Sequence, residues 1–157
     1  MTASTASADQ DSRWIPFQQP DVTAPAGVFC DFEVTGEVLH DREFFKTVAT
    51  YEDGSPRTEL WKGPLVIRFT NTETGESVDR DVSGHQVKQL KPDGSLESIT
   101  IKTGHTVGAM AEGSSPEKGI WQVGGRHSSL VRHDDGTSSI FLGPNGTAEN
   151  LCDTLAP

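Results

Sequence analysis

Basic residues, cysteines and long apolar runs are all scarce in this chain, and each shortage narrows what it can be. Thirteen Lys and Arg stand against 23 Asp and Glu, a formal charge of −10. Nucleic acids and anionic membranes both reward a basic surface, so neither is expected as a partner. No stretch approaches the ~20 consecutive apolar residues that span a bilayer as a helix. The familiar catalytic signatures are missing as well: there is no G-x-S-x-G elbow, no P-loop, no H-E-x-x-H and no pair of C-x-x-C motifs. Met1 is followed by Thr-Ala-Ser-Thr-Ala-Ser-Ala-Asp-Gln-Asp, which has neither the basic nor the apolar region of a signal peptide.

What is present is turn chemistry. Sixteen Gly and nine Pro among 157 residues, with a single helix-like segment, point to an all-β chain of one domain. Residues 1–13 are small and polar and read as a disordered arm. Residues 14–27 carry Trp14, Ile15 and Phe17 among prolines and read as an extended strap on the body. From residue 28 to 157 the apolar positions alternate between turns such as Asp53-Gly54 and Lys91-Pro-Asp-Gly-Ser95. The strands expected are Val28–His40, Glu43–Tyr51, Thr58–Thr70 (with an edge, bulge or break at Pro64), Ser77–Ser83, Gln86–Leu90, Leu96–Met110, Gly119–Arg132 and Ser138–Leu142. Thr147–Leu155 is expected to close the chain as a short helix with Thr147 as its N-cap and Glu149 in its first turn. About eight long, glycine-bent strands in an antiparallel meander predict a closed β-barrel with room for packed side chains or one small ligand.

Gly119–Arg132 is one of the longest segments that read as one strand. Its alternate residues Trp121, Val123, Gly125 and His127 would share a face. With Tyr51, Trp61, Ile101 and His105 from other strands, that face could wall a lumen. Aromatic rings would supply its apolar sides, and His127 or His105 could act as a general acid or base. The competing reading is a packed core with hydrogen-bonded histidines. His40, His85 and His133 fall at strand ends or turns and read as solvated. Two imidazoles fall short of the three or four ligands of a zinc site, so no metal is expected, and nothing implies a cofactor. Asp134-Asp135-Gly136 lacks the ligand spacing of a calcium loop and reads as a turn.

Cys30 and Cys152, near the two ends of the body, suit a disulfide clamp. That would place the protein outside the cytoplasm; two free thiols in a cytoplasmic protein are the alternative. The stretch Val66-Ile-Arg-Phe-Thr-Asn-Thr-Glu-Thr-Gly-Glu-Ser77, the Lys91–Ser95 turn and Glu149-Asn-Leu-Cys-Asp-Thr-Leu-Ala156 together resemble small exported actinobacterial proteins with two cysteines. The expected architecture is similar to the allene oxide cyclase, dirigent and lipocalin-type barrels. That resemblance implies binding of apolar molecules, or cyclisation of a flexible substrate as in polyketide cyclases of the Diels–Alder type. Three functions stay open at this point. The first is a barrel that binds an apolar or aromatic small molecule. The second is a cofactor-independent cyclase or isomerase that templates its substrate. The third is an exported structural or interaction module; a homo-oligomer is compatible with each.

Overall fold

Three hairpins repeat one turn. At Tyr51–Ser55, Lys91–Ser95 and His133–Thr137 the first residue exchanges backbone hydrogen bonds with the fourth and fifth. The central Asp accepts from the following Ser or Thr through both its N–H and its hydroxyl. Gly54, Gly94 and Gly136 then supply a φ of +88°, which only glycine adopts freely. Those hydrogen bonds hold Asp53, Asp93 and Asp135 below the ordinary carboxylate range.

The computed structural model describes residues 13–157, so the arm expected at 1–13 lies outside the described residues but for Arg13. Thirteen strands occur among the described residues, with one short helix. Four stretches of chain each bend from one sheet into another. β1 (Ile15–Phe17) passes to β2 (Val22–Ala24), and β3 (Val34–Asp41) passes to β4 (Glu43–Thr50) with only Arg42 between. β5 (Pro56–Gly63) passes to β6 (Leu65–Asn71) across Pro64, and β7 (Ser77–Asp81) passes to β8 (Gly84–Leu90) across Val82-Ser83. The halves sort into different sheets. One is the four-stranded sheet β2-β3-β6-β7. The other has nine strands: β1, β4, β5 and β8, then β9 (Leu96–Met110), β10 (Gly119–Gly124) and β13 (Thr147–Asn150), with β11 (Ser129–Arg132) and β12 (Ser138–Phe141) branching from β9.

The corners are stitched by backbone hydrogen bonds: Arg42 N–H to Pro64 O at 2.9 Å, Val82 N–H to Leu65 O at 2.8 Å, and His105 N–H to Ser83 O at 3.0 Å. Backbones touch where the strands fold over, and a Cβ on Gly104 would run into Ser83 and Gly84. Pro64 is therefore a break between sheets, at the one place where a missing N–H leaves no ladder bond unmade.

The closed barrel expected from the sequence does not form. Strands that switch sheets at corners fold the ladder into two facing layers, and the end strands β1 and β13 do not pair with each other. The long strand expected at Gly119–Arg132 is likewise two strands. Gly125 and His127 take positive φ values of 99° and 69°, which turn the chain out of the ladder. The buried Ser128 hydroxyl secures that turn by bonding Gly124 O and Gly143 N–H. Trp121 and His127 consequently share no face. The closing helix is also shorter than expected. Thr147–Asn150 pairs with β10 as an edge strand, leaving α1 as Leu151–Thr154. Asn150, not Thr147, is the N-cap and accepts from Cys152 N–H at 3.1 Å. Glu149 precedes the helix instead of lying in its first turn, and its carboxylate accepts paired hydrogen bonds from Arg80, both 2.8 Å, and one from the Thr154 hydroxyl at 2.7 Å.

Between the layers, Cys30, Phe32, Val34, Leu65, Ile67, Phe69, Val82 and Ile120 form the main core with Leu151 of α1 and its C-cap Leu155. The Cys30–Cys152 disulfide closes a span of 122 residues and ties α1 to it. Ile101, Met110, Trp121, Val123 and Leu130 form a second cluster under the branch of β9.

Candidate functional site

The small sheet presents Val34, Gly36 and Val38 of β3 and Leu65, Ile67 and Phe69 of β6 to the gap between layers. β9 faces them with Ile99, Thr106, Val107 and Ala109. These side chains do not meet everywhere. They enclose a cavity of about 520 Å³, which β2 and its flanking residues Gln19, Pro20 and Pro25 help to wall. That volume falls within the range of small-molecule sites, which combine apolar walls with a few convergent polar groups.

Here the polar groups come from β4 and β8. Among the described residues, Glu43 and Lys88 are the only titratable side chains in the lining, and Gln86 stands beside them. Register explains why they meet. Lys88 is paired with Glu59, and Gln86 with Trp61, while Phe45 is paired with Trp61. Residues two apart on a strand share a face, so Glu59, Trp61, Gln86 and Lys88 occupy one surface, with Glu43 and Phe45 one strand further on. Phe45 stacks on Trp61 at 4.8 Å, and Phe17 of β1 meets Trp61 edge-on at 5.0 Å. Lys88 holds its ammonium 3.7 Å from the centroid of the Trp61 ring, a cation–π contact. The Trp61 ring N–H donates to the buried Glu59 at 3.0 Å.

Glu43 Oε1 is buried with no hydrogen-bond partner. Burial, reinforced by the neighbouring Asp41 carboxylate, pushes the Glu43 pKa up to about 7, against a smaller opposing pull from Lys88. Lys88 moves the other way: burial lowers its pKa, although Glu43 and Glu59 both favour its charge. Neither carboxylate lies in ion-pair contact with it. Asp41 also accepts from the backbone N–H of Gln19 and of Glu43, so it links the end of β1 to the mouth of the cavity.

None of the residues expected to wall a lumen lines this cavity. Tyr51 donates its hydroxyl to Leu90 O at 2.6 Å and closes the ends of two hairpins. Trp61 lies behind Lys88, as described. Ile101 and Trp121 are packed in the second cluster, with the Trp121 ring N–H donating to Glu117 O at 3.0 Å. His105 is half-buried in β9 opposite Gly124. His127 is exposed in the turn after β10, so the two imidazoles form no common site. Among the described residues, no three His, Cys, Asp or Glu side chains gather as a metal site.

Sequence reasoning passed over Glu43, Gln86 and Lys88 because charge on a strand ordinarily faces water. One signal was available. Glu59 stands two residues before Trp61, hence on the face otherwise read as apolar, which marks a polar group pointing inward.

No family model, curated protein or solved structure matches the chain. The site therefore carries the functional argument by its own geometry.

Proposed function

We propose that the protein binds one apolar small molecule in the gap between its two sheets, with a polar group of the ligand directed at Glu43 and Lys88. The observation that carries this is the cavity of about 520 Å³ with apolar walls and two titratable side chains at one place in its lining. A module whose surface alone did the work would gain from filling such a space, since tightly packed interiors are the more stable ones. The Cys30–Cys152 disulfide suits an oxidising compartment, and we place the protein outside the cytoplasm on that ground. No helix among the described residues is long and apolar enough to cross a membrane.

The test is a titration with anilinonaphthalene sulfonate, lauric acid and retinol, read by fluorescence and by thermal stability. Saturable one-to-one binding is expected. Ala109→Phe, which projects a ring into the cavity from β9, should abolish it while leaving the fold intact. If no probe binds, or if the Ala109→Phe variant binds as well as the parent, the reading is wrong.

A cyclase or isomerase is the second reading. It is favoured by one observation: the carboxylate and the amine in the lining are both shifted by burial toward their neutral forms, as proton-transferring groups are.

A further inference from the structure

Resting on the proposed ligand cavity, we infer that its Glu43–Lys88 end is a proton-transfer site for an apolar, enolisable ketone, with Glu43 moving the proton and Lys88 donating a hydrogen bond to the carbonyl oxygen. The lining excludes most other chemistry. Among the described residues it holds no Ser, Cys or His, and its two hydroxyls, on Thr23 and Thr106, have no imidazole in the lining to activate them for attack on a ligand. It does hold one carboxylate and one amine, on neighbouring parts of the same inner face.

Their surroundings suit them to distinct tasks. Glu43 Oε1 is buried and unpartnered, so it is free to take a proton from a bound molecule rather than being committed to the protein. Asp41, the nearest acid, accepts from the N–H groups of Gln19 and Glu43 and also hydrogen-bonds the Glu43 carboxyl. Lys88 is oriented by the Trp61 ring instead of by an ion pair, which leaves its N–H donors for a ligand oxygen. Glu59 accepts from Trp61 and so steadies that ring. The apolar walls would hold the hydrocarbon part of the ketone and keep water from competing for the oxygen.

The step balances without any further reagent. The Glu43 carboxylate removes a proton from the carbon next to the carbonyl. The C–H electron pair becomes the C=C bond of the enolate, and the carbonyl π pair moves onto oxygen, where the hydrogen bond from Lys88 stabilises the negative charge. Glu43 then returns the proton, either to the same carbon or to the far end of an adjoining double bond. The net result is exchange of the hydrogen or migration of the double bond, with nothing oxidised or reduced and no group lost.

β-Tetralone, an apolar bicyclic ketone with acidic α-hydrogens, is a suitable probe. Its α-proton signals would be followed by NMR in deuterated buffer with the full-length protein. Saturable, protein-dependent exchange is expected, rising with pH as Glu43 loses its proton; Asp41, Glu59 and Lys88 are the charged groups around it. Glu43→Gln should slow exchange by about 100-fold, and Lys88→Met by a similar factor, each with ketone binding retained. Ketone that binds but exchanges at the buffer rate overturns the inference and leaves the binding reading standing. Failure of the ketone to bind where anilinonaphthalene sulfonate does also overturns it. A Lys88–ketone adduct trapped by borohydride, or a Glu43→Gln variant as fast as the parent, does so as well. If no probe of any kind binds, it is the cavity reading itself that fails.

Discussion

Replacing Glu43 by Gln should make the protein more stable at pH 8 and leave it nearly unchanged at pH 5. In the folded chain Glu43 keeps its proton up to about 7, whereas its ordinary value is 4.5. Between those values the folded state holds more protons than the unfolded one, so stability falls as pH rises through that window. A rise of that size corresponds to about 3 kcal/mol, at about 1.4 kcal/mol for each tenfold change in proton affinity. Part of the Glu43 side chain reaches solvent, which screens its charge, and Lys88 returns some attraction, so about 1–2 kcal/mol is the figure to expect. For a domain of this length that is a difference in Tm of about 3–6 °C. The assay is urea or thermal unfolding of parent and variant at intervals from pH 5 to pH 8. The carboxylates held low by hydrogen bonds, such as Asp81 and Glu149, act on the acid side of this range. Parallel pH profiles for the two proteins, or a variant that is the less stable one at pH 8, would refute the claim that Glu43 is desolvated in the cavity wall.

Other expectations follow from the packing. Changing both Cys30 and Cys152 to Ser opens a loop of 122 residues, for which chain entropy gives about 5 kcal/mol of lost stability, measurable by urea unfolding. Leu130→Ala should cost about 2–5 kcal/mol, because Leu130 is fully buried against Gly108 in the second cluster; an effect below about 1 kcal/mol would mean that this cluster is loosely packed. Asn150→Ala should cost about 1–2 kcal/mol, since the side chain both caps α1 and donates to Lys118 O, and Asn150→Asp should recover part of the cap. Ala109→Phe is expected to keep or raise Tm while abolishing probe binding, as it fills space that is otherwise empty.

Much of the fold was legible because it is local. The bounds of β9 follow from its alternation and its flanking Lys91–Ser95 turn, and the Asp-Gly turns announce three hairpins. Pro64 marked an edge, a bulge or a break, and the structure makes it a break. The cysteine pair could be read from its position near the two ends of the body. What misled was also local in origin. Gly124-Gly125 looked like a bend within one strand, whereas Gly125, His127 and the Ser128 hydroxyl together end it. Trp and His residues looked like a ligand wall because aromatics on alternate positions face inward. Inward, for Trp121 and Ile101, meant a packed cluster. Glu43 and Lys88 were not singled out, because nothing within a few residues of either one reveals the opposing sheet.

The sequence by itself determined the all-β character and the order of the turns, because each depends on backbone preference within a few residues; it offered the Cys30–Cys152 disulfide as one of two readings. Tertiary structure alone decided that the long strands fold at Arg42, Pro64 and Ser83 into two layers rather than curl into a barrel. It also decided that a carboxylate and an amine 45 positions apart in the chain share a cavity wall. Both outcomes depend on which surfaces face each other across the gap, and such contacts, made between residues distant in the chain, leave no periodic trace in either strand.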